Sequence, residues 1–343
     1  MRVAICTSPL SSASKTRGVG AYTRELLQSL RHNFPRDTYL EVTGNPYKTN
    51  ADLVHYPFFD PYFLTLPISF PIPTVITIHD LIPLKYPAHF PPGKKGRLKW
   101  FYQRFRARHA HSILTDSASS SRDIQSLLGL SAAQVVVVPL APATARTSYA
   151  IAPKLKKLYS LPTRYILYVG DVNWNKNLPG LIRAFGQLAG TQTHLVLVGK
   201  VFADQPNIPE YLAVKQAIAD SGKAELIQLL GYIPSHHLGA IYHEATLYCQ
   251  PSYDEGFGLP VLEAMKAGCP VVSSNQGSLP EVGGDAAIYF DPKSDNLSAV
   301  LTDLLRSSAR RTELINRGSR QVKKFSWTTT AELTRGVYAR LVK

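Results

Sequence analysis

Along the chain, short apolar runs alternate with segments whose apolar residues recur every three or four positions. Val3–Cys6 is such a run and predicts a first strand. Gly18, Val19 and Gly20 then open a segment with Tyr22, Leu26, Leu27 and Leu30 at the spacing of one helix face. "PTVITIHD" predicts a β-branched strand ending at His79, and "HSILTDS" and "VVVVP" predict two more. After Pro153 the rhythm restarts in "RYILYVG", "HLVLVGK", "ELIQLLG", "ATLYCQPS", "CPVVSS" and "AAIYF", with helical patterns between. Strands alternating with helices predict parallel sheets covered by helices. The restart predicts two such sheets, and so an α/β protein of two domains. The link between them is expected over Ala141–Leu161, where prolines and small residues cluster. Open parallel sheets take ligands beyond the carboxyl ends of their strands. Two sheets facing each other would share a cleft there, so residues just after strands are the ones to inspect.

Composition narrows the class. A chain of 343 residues exceeds one ordinary core. Its 38 basic and 24 acidic side chains give +14, which calls for an anionic partner: nucleic acid, an anionic membrane face or a phosphorylated substrate. Cys6, Cys249 and Cys269 lie far apart with no C-x-x-C pair, against a disulfide framework or a structural zinc site and in keeping with a reducing compartment. The N-terminus reads as a strand rather than a signal peptide, and no apolar run is long enough to span a bilayer. A cytoplasmic protein is expected.

Chemistry concentrates in "DEGFGLPVLEAMKAGCP", Asp254–Pro270. "ATLYCQPS" before it predicts a strand, and "YDEGFG" the turn. Pro260 suits a first helical position and Gly268 a helix stop. Glu255 then lies on the loop at a strand's carboxyl end, and Glu263 in the first or second helical turn. The glycines allow close backbone approach, and a helix start offers N–H groups at the positive end of the dipole, a site matched to a diphosphate. A carboxylate is an acceptor-only group, so Glu263 suits a ribose diol and Glu255 sugar hydroxyls. Each residue alone also has a plainer role, since a glutamate near a helix start complements the dipole.

Other groups follow strands. Lys176, a short loop after "YILYVG", can neutralise a departing diphosphate, or can be a solvated surface lysine. His79 ends its strand before Asp80, as either a ligand-facing residue or a packed strand end. Gly18-Val19-Gly20 lacks the third glycine of a dinucleotide fingerprint, because Thr23 stands there. Gly231-Tyr232 flanks a base pocket or forms a simple turn, and Ser117 reads as a helix N-cap. No D-x-D pair occurs to hold a divalent metal, so no metal is expected. Residues 93–111 carry Lys94, Lys95, Arg97, Lys99, Arg104, Arg106 and Arg108, no acid, and interleaved Trp100, Phe101, Tyr102 and Phe105. Such a helix suits an anionic bilayer surface, or packs its aromatics inward under a solvated basic face.

The segment "PSYDEGFGLPVLEAMKAGCPVVSS", continuing into "NQGSLPEVGGDAAIYFDP", closely resembles the E-x7-E region of retaining GT-B glycosyltransferases of family 4. The resemblance extends to "RGVGAYTRELLQSL", "TVITIHDLIPLKYP", "LTDSASSSRDI", "YILYVGDVNWNKNL" and "FSWTTTAELTRGVYARLV", most of the chain, and is nearest the mannosyltransferase-like branch. It implies a GT-B fold of two Rossmann-like domains, an N-terminal acceptor domain (1–150) and a C-terminal donor domain (151–326), that flank a cleft, with the last helix, about Trp327–Val342, crossing back onto the first domain. It implies catalytic roles for His79 beside the transferred sugar, Lys176 at the donor phosphates and Glu255 at the sugar, with Asp80 orienting His79 or holding its loop. Donor contacts are implied for Gly18, Gly20, Asn175, Tyr232, Gly256, Phe257, Gly258, Leu259 and Glu263. Family members often carry arginine where Asn175 or Asp171 stands, so the second phosphate cation is missing here. The implied activity is metal-independent retaining transfer of a hexose from a nucleotide-diphosphate sugar, with no further cofactor. GDP-mannose is the expected donor, with UDP-glucose or dTDP-rhamnose as alternatives. The acceptor is expected to be a glycan or lipid-linked glycan of cell-surface polysaccharide synthesis at the inner membrane face. No nucleic-acid partner is expected, and oligomeric state is left open. A non-catalytic nucleotide-sugar binder and a pyridoxal-dependent glycan phosphorylase are the other classes.

Overall fold

The computed structural model describes residues 1–11, 18–143, 151–190 and 192–342. The chain forms two compact units, Met1–Thr144 with Phe325–Lys343, and Ala145–Lys324. Each is built on a parallel six-stranded sheet with flanking helices.

In the first unit the strands are β1 (Arg2–Cys6), β2 (Thr38–Val42), β3 (Leu53–Tyr56), β4 (Thr74–Thr77), β5 (Ser112–Thr115) and β6 (Val135–Val137). Their order is β2-β1-β3-β4-β5-β6. β1 after Arg2, β4 and β5 are buried, which is why they read as short, mostly apolar runs; β3 is buried as well. The apolar pattern above did not predict β2 or β3. β2 is a half-exposed edge strand mixing Glu41 with Tyr39 and Leu40, and β3 is only four residues, one of them a histidine. His55 is fully buried in β3 because its two ring nitrogens find the Tyr338 hydroxyl at 2.7 Å and the Thr77 hydroxyl at 2.8 Å.

The second unit holds β7 (Tyr165–Val169), β8 (His194–Val198), β9 (Ile227–Leu230), β10 (Leu247–Gln250), β11 (Val271–Ser274) and β12 (Ala287–Phe290). The order is β12-β11-β10-β7-β8-β9. The strand sequence thus reverses direction between β7 and β10, the place where open sheets of this kind leave a crevice for a ligand. Leu181, Ile182 and Phe185 on the helix Leu178–Gly186 pack with Leu195, Leu197, Leu301 and Leu304 in the core of this unit.

The last helix, Trp327–Leu341, is part of the first unit. Ser326 caps it by accepting the Thr329 amide, and Trp327 O accepts from Ser29 Oγ at 2.8 Å. Arg335 donates to Asp37 at 2.7 Å, and Thr330 Oγ1 to Pro139 O at 2.7 Å. The expected link Ala141–Leu161 needs correction. Its second half is the helix Ala152–Leu158, folded into the second unit, where Ala152 and Leu155 pack on Ala240. Its lysine-rich, proline-started sequence hides that small apolar contact. Residues 144–150 lie outside the described ones.

Candidate active site

At the β7/β10 switch point, the loops following the two strands are bound to each other along their length. After β7, residues 170–173 lead into a single turn, Trp174–Lys176, and Asn177 takes a left-handed conformation (φ 50°) to start the next helix. Asparagine tolerates that region better than most side chains. Asn177 Nδ2 donates to Pro251 O at 3.0 Å, Asn175 Nδ2 to Asp254 O at 3.0 Å, and the Tyr253 amide returns to Asn175 O at 2.7 Å. Trp174 stacks on Tyr253 with ring centroids 4.9 Å apart. This clamp brings Lys176 to Glu255.

The ammonium of Lys176 donates to both carboxylate oxygens of Glu255 at 2.8 Å. Oε1 of Glu255 also accepts from Gln250 Nε2 at 2.8 Å and from Ser252 Oγ at 2.7 Å. The carboxylate is nearly enclosed, whereas the Lys176 side chain keeps 21% of its surface exposed. Charged hydrogen bonds of this kind are shorter and stronger than neutral ones and fix both partners in place. A cation is thereby held at the carboxyl end of the sheet, with its position set before any ligand arrives.

Beside it, Gly256, Phe257 and Gly258 form the turn into the helix Leu259–Lys266. Gly258 sits at φ 97°, and a Cβ there would lie 2.7 Å from Leu279. Ser278 Oγ donates to Glu255 O at 2.9 Å and to Phe257 O at 2.8 Å. Gly277, at φ 60°, lets this backing segment come close, since a Cβ would lie 2.4 Å from Asp254 Oδ1 and 2.8 Å from the Glu255 backbone. In the helix start, Pro260 has no N–H and the Val261 amide already bonds Gly258 O at 3.0 Å. Gly258 and Leu259 are the first amides of that turn. Glu263 stands in the second turn, accepting from the Tyr242 hydroxyl at 3.2 Å. Burial raises its carboxyl above the usual glutamate value, against the opposing pulls of Tyr242 and Lys266.

The sequence expectations separate here. Lys176 and Glu255 come together as one ion pair, not as two independent ligand contacts. Asn175, expected to donate to a ligand, is 4% exposed and uses its amide to join the two loops. Tyr232, just past β9, is exposed. Gln250, Ser252, Asn177, Gly277 and Ser278 complete the site and were not singled out. Gln250 and Ser252 lay within the quoted strand as ordinary polar residues, and no local signal marks the other three.

In the first unit, His79 follows β4. Its Nδ1 bonds Asp116 Oδ2 at 2.6 Å, just past β5, while Nε2 is buried. Burial works against a charged imidazole, but the Asp116 and Asp80 carboxylates and the Pro57 carbonyl outweigh it and raise its pKa above 6.5. Asp116, rather than Asp80, makes the hydrogen bond that orients the ring; Asp80 Oδ1 accepts the Ile82 amide at 3.0 Å and holds the loop. Ser117 is a helix N-cap, accepting from the Ser120 amide at 3.0 Å. Tyr22 meets His79 edge-on at 4.8 Å between ring centroids. Gly18 and Gly20 fall in the first turn of the helix Gly18–Asn33; the residues before them, 12–17, are outside the described ones.

Residues 155–321 match the family model described as "Glycosyl transferases group 1", and residues 44–146 the one described as "Glycosyltransferase Family 4". The O-antigen chain mannosyltransferase B of Escherichia coli is 33% identical over 275 residues, 77% of this chain and 69% of that protein. The chain belongs to the GT-B glycosyltransferases of family 4, on the mannosyltransferase-like side. This glycosyltransferase is also 30% identical to an E. coli serotype-specific mannosyltransferase WbdA over 83% of its own length, though it spans only 36% of that relative. Among solved structures, sucrose-phosphate synthase from Thermosynechococcus elongatus is similar in fold, with a TM-score of 0.79 at 19% identity, covering 99% of this chain and 98% of that one. Anabaena Alr3699/HepE in complex with UDP and glucose gives a TM-score of 0.75 at 17% identity over 99% of this chain and 100% of that one. Among the described residues of this glycosyltransferase, no helix is long and apolar enough to cross a membrane.

Proposed function

We propose that this glycosyltransferase transfers mannose from GDP-mannose, with retention at the anomeric carbon, to a growing glycan of O-antigen type. The ion pair between Lys176 and Glu255 at the β7/β10 switch point carries the reading. A cation fixed beside glycine amides at a helix start is the arrangement that stabilises charge on a departing diphosphate. Lys176 takes that charge, supported by the amides around Gly258 and Leu259. Glu255 holds the ammonium in place and turns its remaining acceptor capacity to the sugar hydroxyls. Glu263 accepts from the ribose diol. His79 offers Nε2 to the transferred sugar, with Asp116 fixing the ring. The acceptor hydroxyl attacks the anomeric carbon on the face the diphosphate leaves, and a diphosphate oxygen takes its proton. No protein nucleophile and no metal enter this scheme.

The mannosyltransferase names of the E. coli relatives and of a 31% identical MMP alpha-(1->4)-mannosyltransferase support mannose. UDP-glucose is the second reading, favoured by the UDP and glucose bound in the similar fold of Alr3699/HepE. Thermal unfolding with GDP, UDP and dTDP and their sugars decides between them. Stabilisation by GDP and GDP-mannose alone is expected, and stabilisation by UDP compounds alone would reject the mannose reading.

A further inference from the structure

The basic helix Gly93–Arg108 has two apolar faces. One is spent inside the first unit: Trp100 packs on the core, Gln103 bonds Asp60 O and the Thr65 hydroxyl, and Arg106 donates to Pro67 O at 2.9 Å. Leu98, Phe101 and Phe105 lie at helical spacing on the opposite face, exposed to 75%, 70% and 57%. The same helix pins the loop that follows Asp60. That loop exposes Phe63 at 64%, Leu64 at 61% and Ile68 at 84%, with Lys99 resting on the Phe63 ring. These six are among eleven exposed large apolar side chains in the described residues, so over half of them gather on one helix and the loop bound to it. Around them stand Lys94, Lys95, Arg97 and Arg108, all exposed, and the helix contains no acid.

We propose that this loop and helix form a docking surface for an anionic lipid bilayer. An exposed apolar cluster rimmed by cations combines the two contributions that hold a protein at such a surface: apolar burial at the acyl boundary and attraction to anionic headgroups. Leu64, Ile68 and Leu98 are aliphatic and have no ring to stack on bases, which favours a bilayer over single-stranded nucleic acid. The density of positive charge disfavours a second copy of the same face. Sequence alone left two fates open for these aromatics, and the helix divides them: Trp100 goes inward, Phe101 and Phe105 outward.

Flotation of the full chain with vesicles tests this without nucleotide, so its result is independent of the donor assignment. Binding is expected to vesicles containing phosphatidylglycerol and not to pure phosphatidylcholine, and to weaken with salt. Changing Leu98, Phe101 and Phe105 together to Ser should abolish it, and Phe63→Ser with Leu64→Ser should weaken it. Each of Lys94→Gln, Arg97→Gln and Arg108→Gln should weaken partitioning roughly fivefold. Unchanged thermal midpoints show that the variants fold; should the triple variant fail, Phe101→Trp fluorescence shifting to the blue on vesicle addition gives a second readout. Absence of binding to anionic vesicles, or equal binding by the apolar variants, overturns the proposal. So does a concentration-dependent dimer, or an oligonucleotide complex, that these substitutions break while vesicles are ignored.

Discussion

Lys176 and Glu255 act as one unit, and removing either disturbs the other. Lys176→Ala deletes the cation and should lower turnover by about 10²- to 10³-fold, the range for one preorganised group stabilising charge in a transition state. Glu255→Gln keeps the shape but releases the ammonium, and should cost turnover with the fold intact. Steady-state rates with a fixed acceptor, together with melting curves, measure both. If Glu255→Gln keeps full activity, the pair is a structural ion pair and not part of the chemistry. Gly277→Ala is a different kind of change. Alanine at φ 60° with a Cβ 2.4 Å from Asp254 Oδ1 forces the backing segment away from Glu255. About 2 kcal/mol of destabilisation is expected, from strained backbone alone, together with weaker nucleotide binding. Urea unfolding and GDP titration of the variant check the two effects separately.

At the scale of elements, β3, β4 and the last helix meet in a buried chain of hydroxyls and imidazoles. Tyr338 bonds His55, His55 bonds Thr77, and Thr77 bonds Tyr22, whose ring edge faces His79. The two histidines respond oppositely to pH. Burial holds His55 neutral, with its pKa pushed down to about 3 from 6.5. Between those values the unfolded chain binds a proton that the folded chain refuses, so stability falls as pH drops through that window, by roughly 1.4 kcal/mol per pH unit for a single group. His79 has a raised pKa. Its contribution is complete below 6.5 and is lost as pH rises through the folded value. Urea midpoints measured against pH should show a flatter acid limb for His55→Asn than for the wild type. In Asp116→Asn the loss of stability above pH 6.5 should shrink, because the charged imidazole has lost its partner. An acid limb unchanged in His55→Asn would mean other groups dominate it. Edge strand β2 and short β3 escaped the apolar pattern because the first is only half covered and the second satisfies a buried histidine through residues far along the chain.

At the scale of the whole molecule, each unit has its own sheet and core. A nucleotide diphosphate should therefore stabilise locally. Amide exchange measured with and without GDP should slow in the loops 170–177 and 251–259, while strand β9, at the sheet's far edge, changes little. Protection confined to the first unit would contradict a donor site at the β7/β10 switch point. The excess of positive charge belongs to this scale as well, because a sequence count of +14 says only that an anion is wanted. Which anion depends on where the charges gather. One cation is fixed by Glu255 inside a sheet crevice, and several others surround exposed Leu98, Phe101 and Phe105.

The sequence by itself determined the alternation of buried strands and helices, the restart that doubles it, and the stretch holding Glu255, Glu263 and their glycines. Those features are local: a sealed strand must be apolar, a helix start favours proline, and a left-handed turn favours glycine. Only the tertiary structure decided the order of the strands, and with it the meeting of Lys176 and Glu255, residues 79 positions apart. It also decided that Asp116 rather than Asp80 orients His79, that Asn175 works as a clamp, and that Phe101 faces out while Trp100 faces in. Each of these depends on which distant segments lie side by side. Apolar patterning says how deeply a segment is buried but not which neighbour it is buried against.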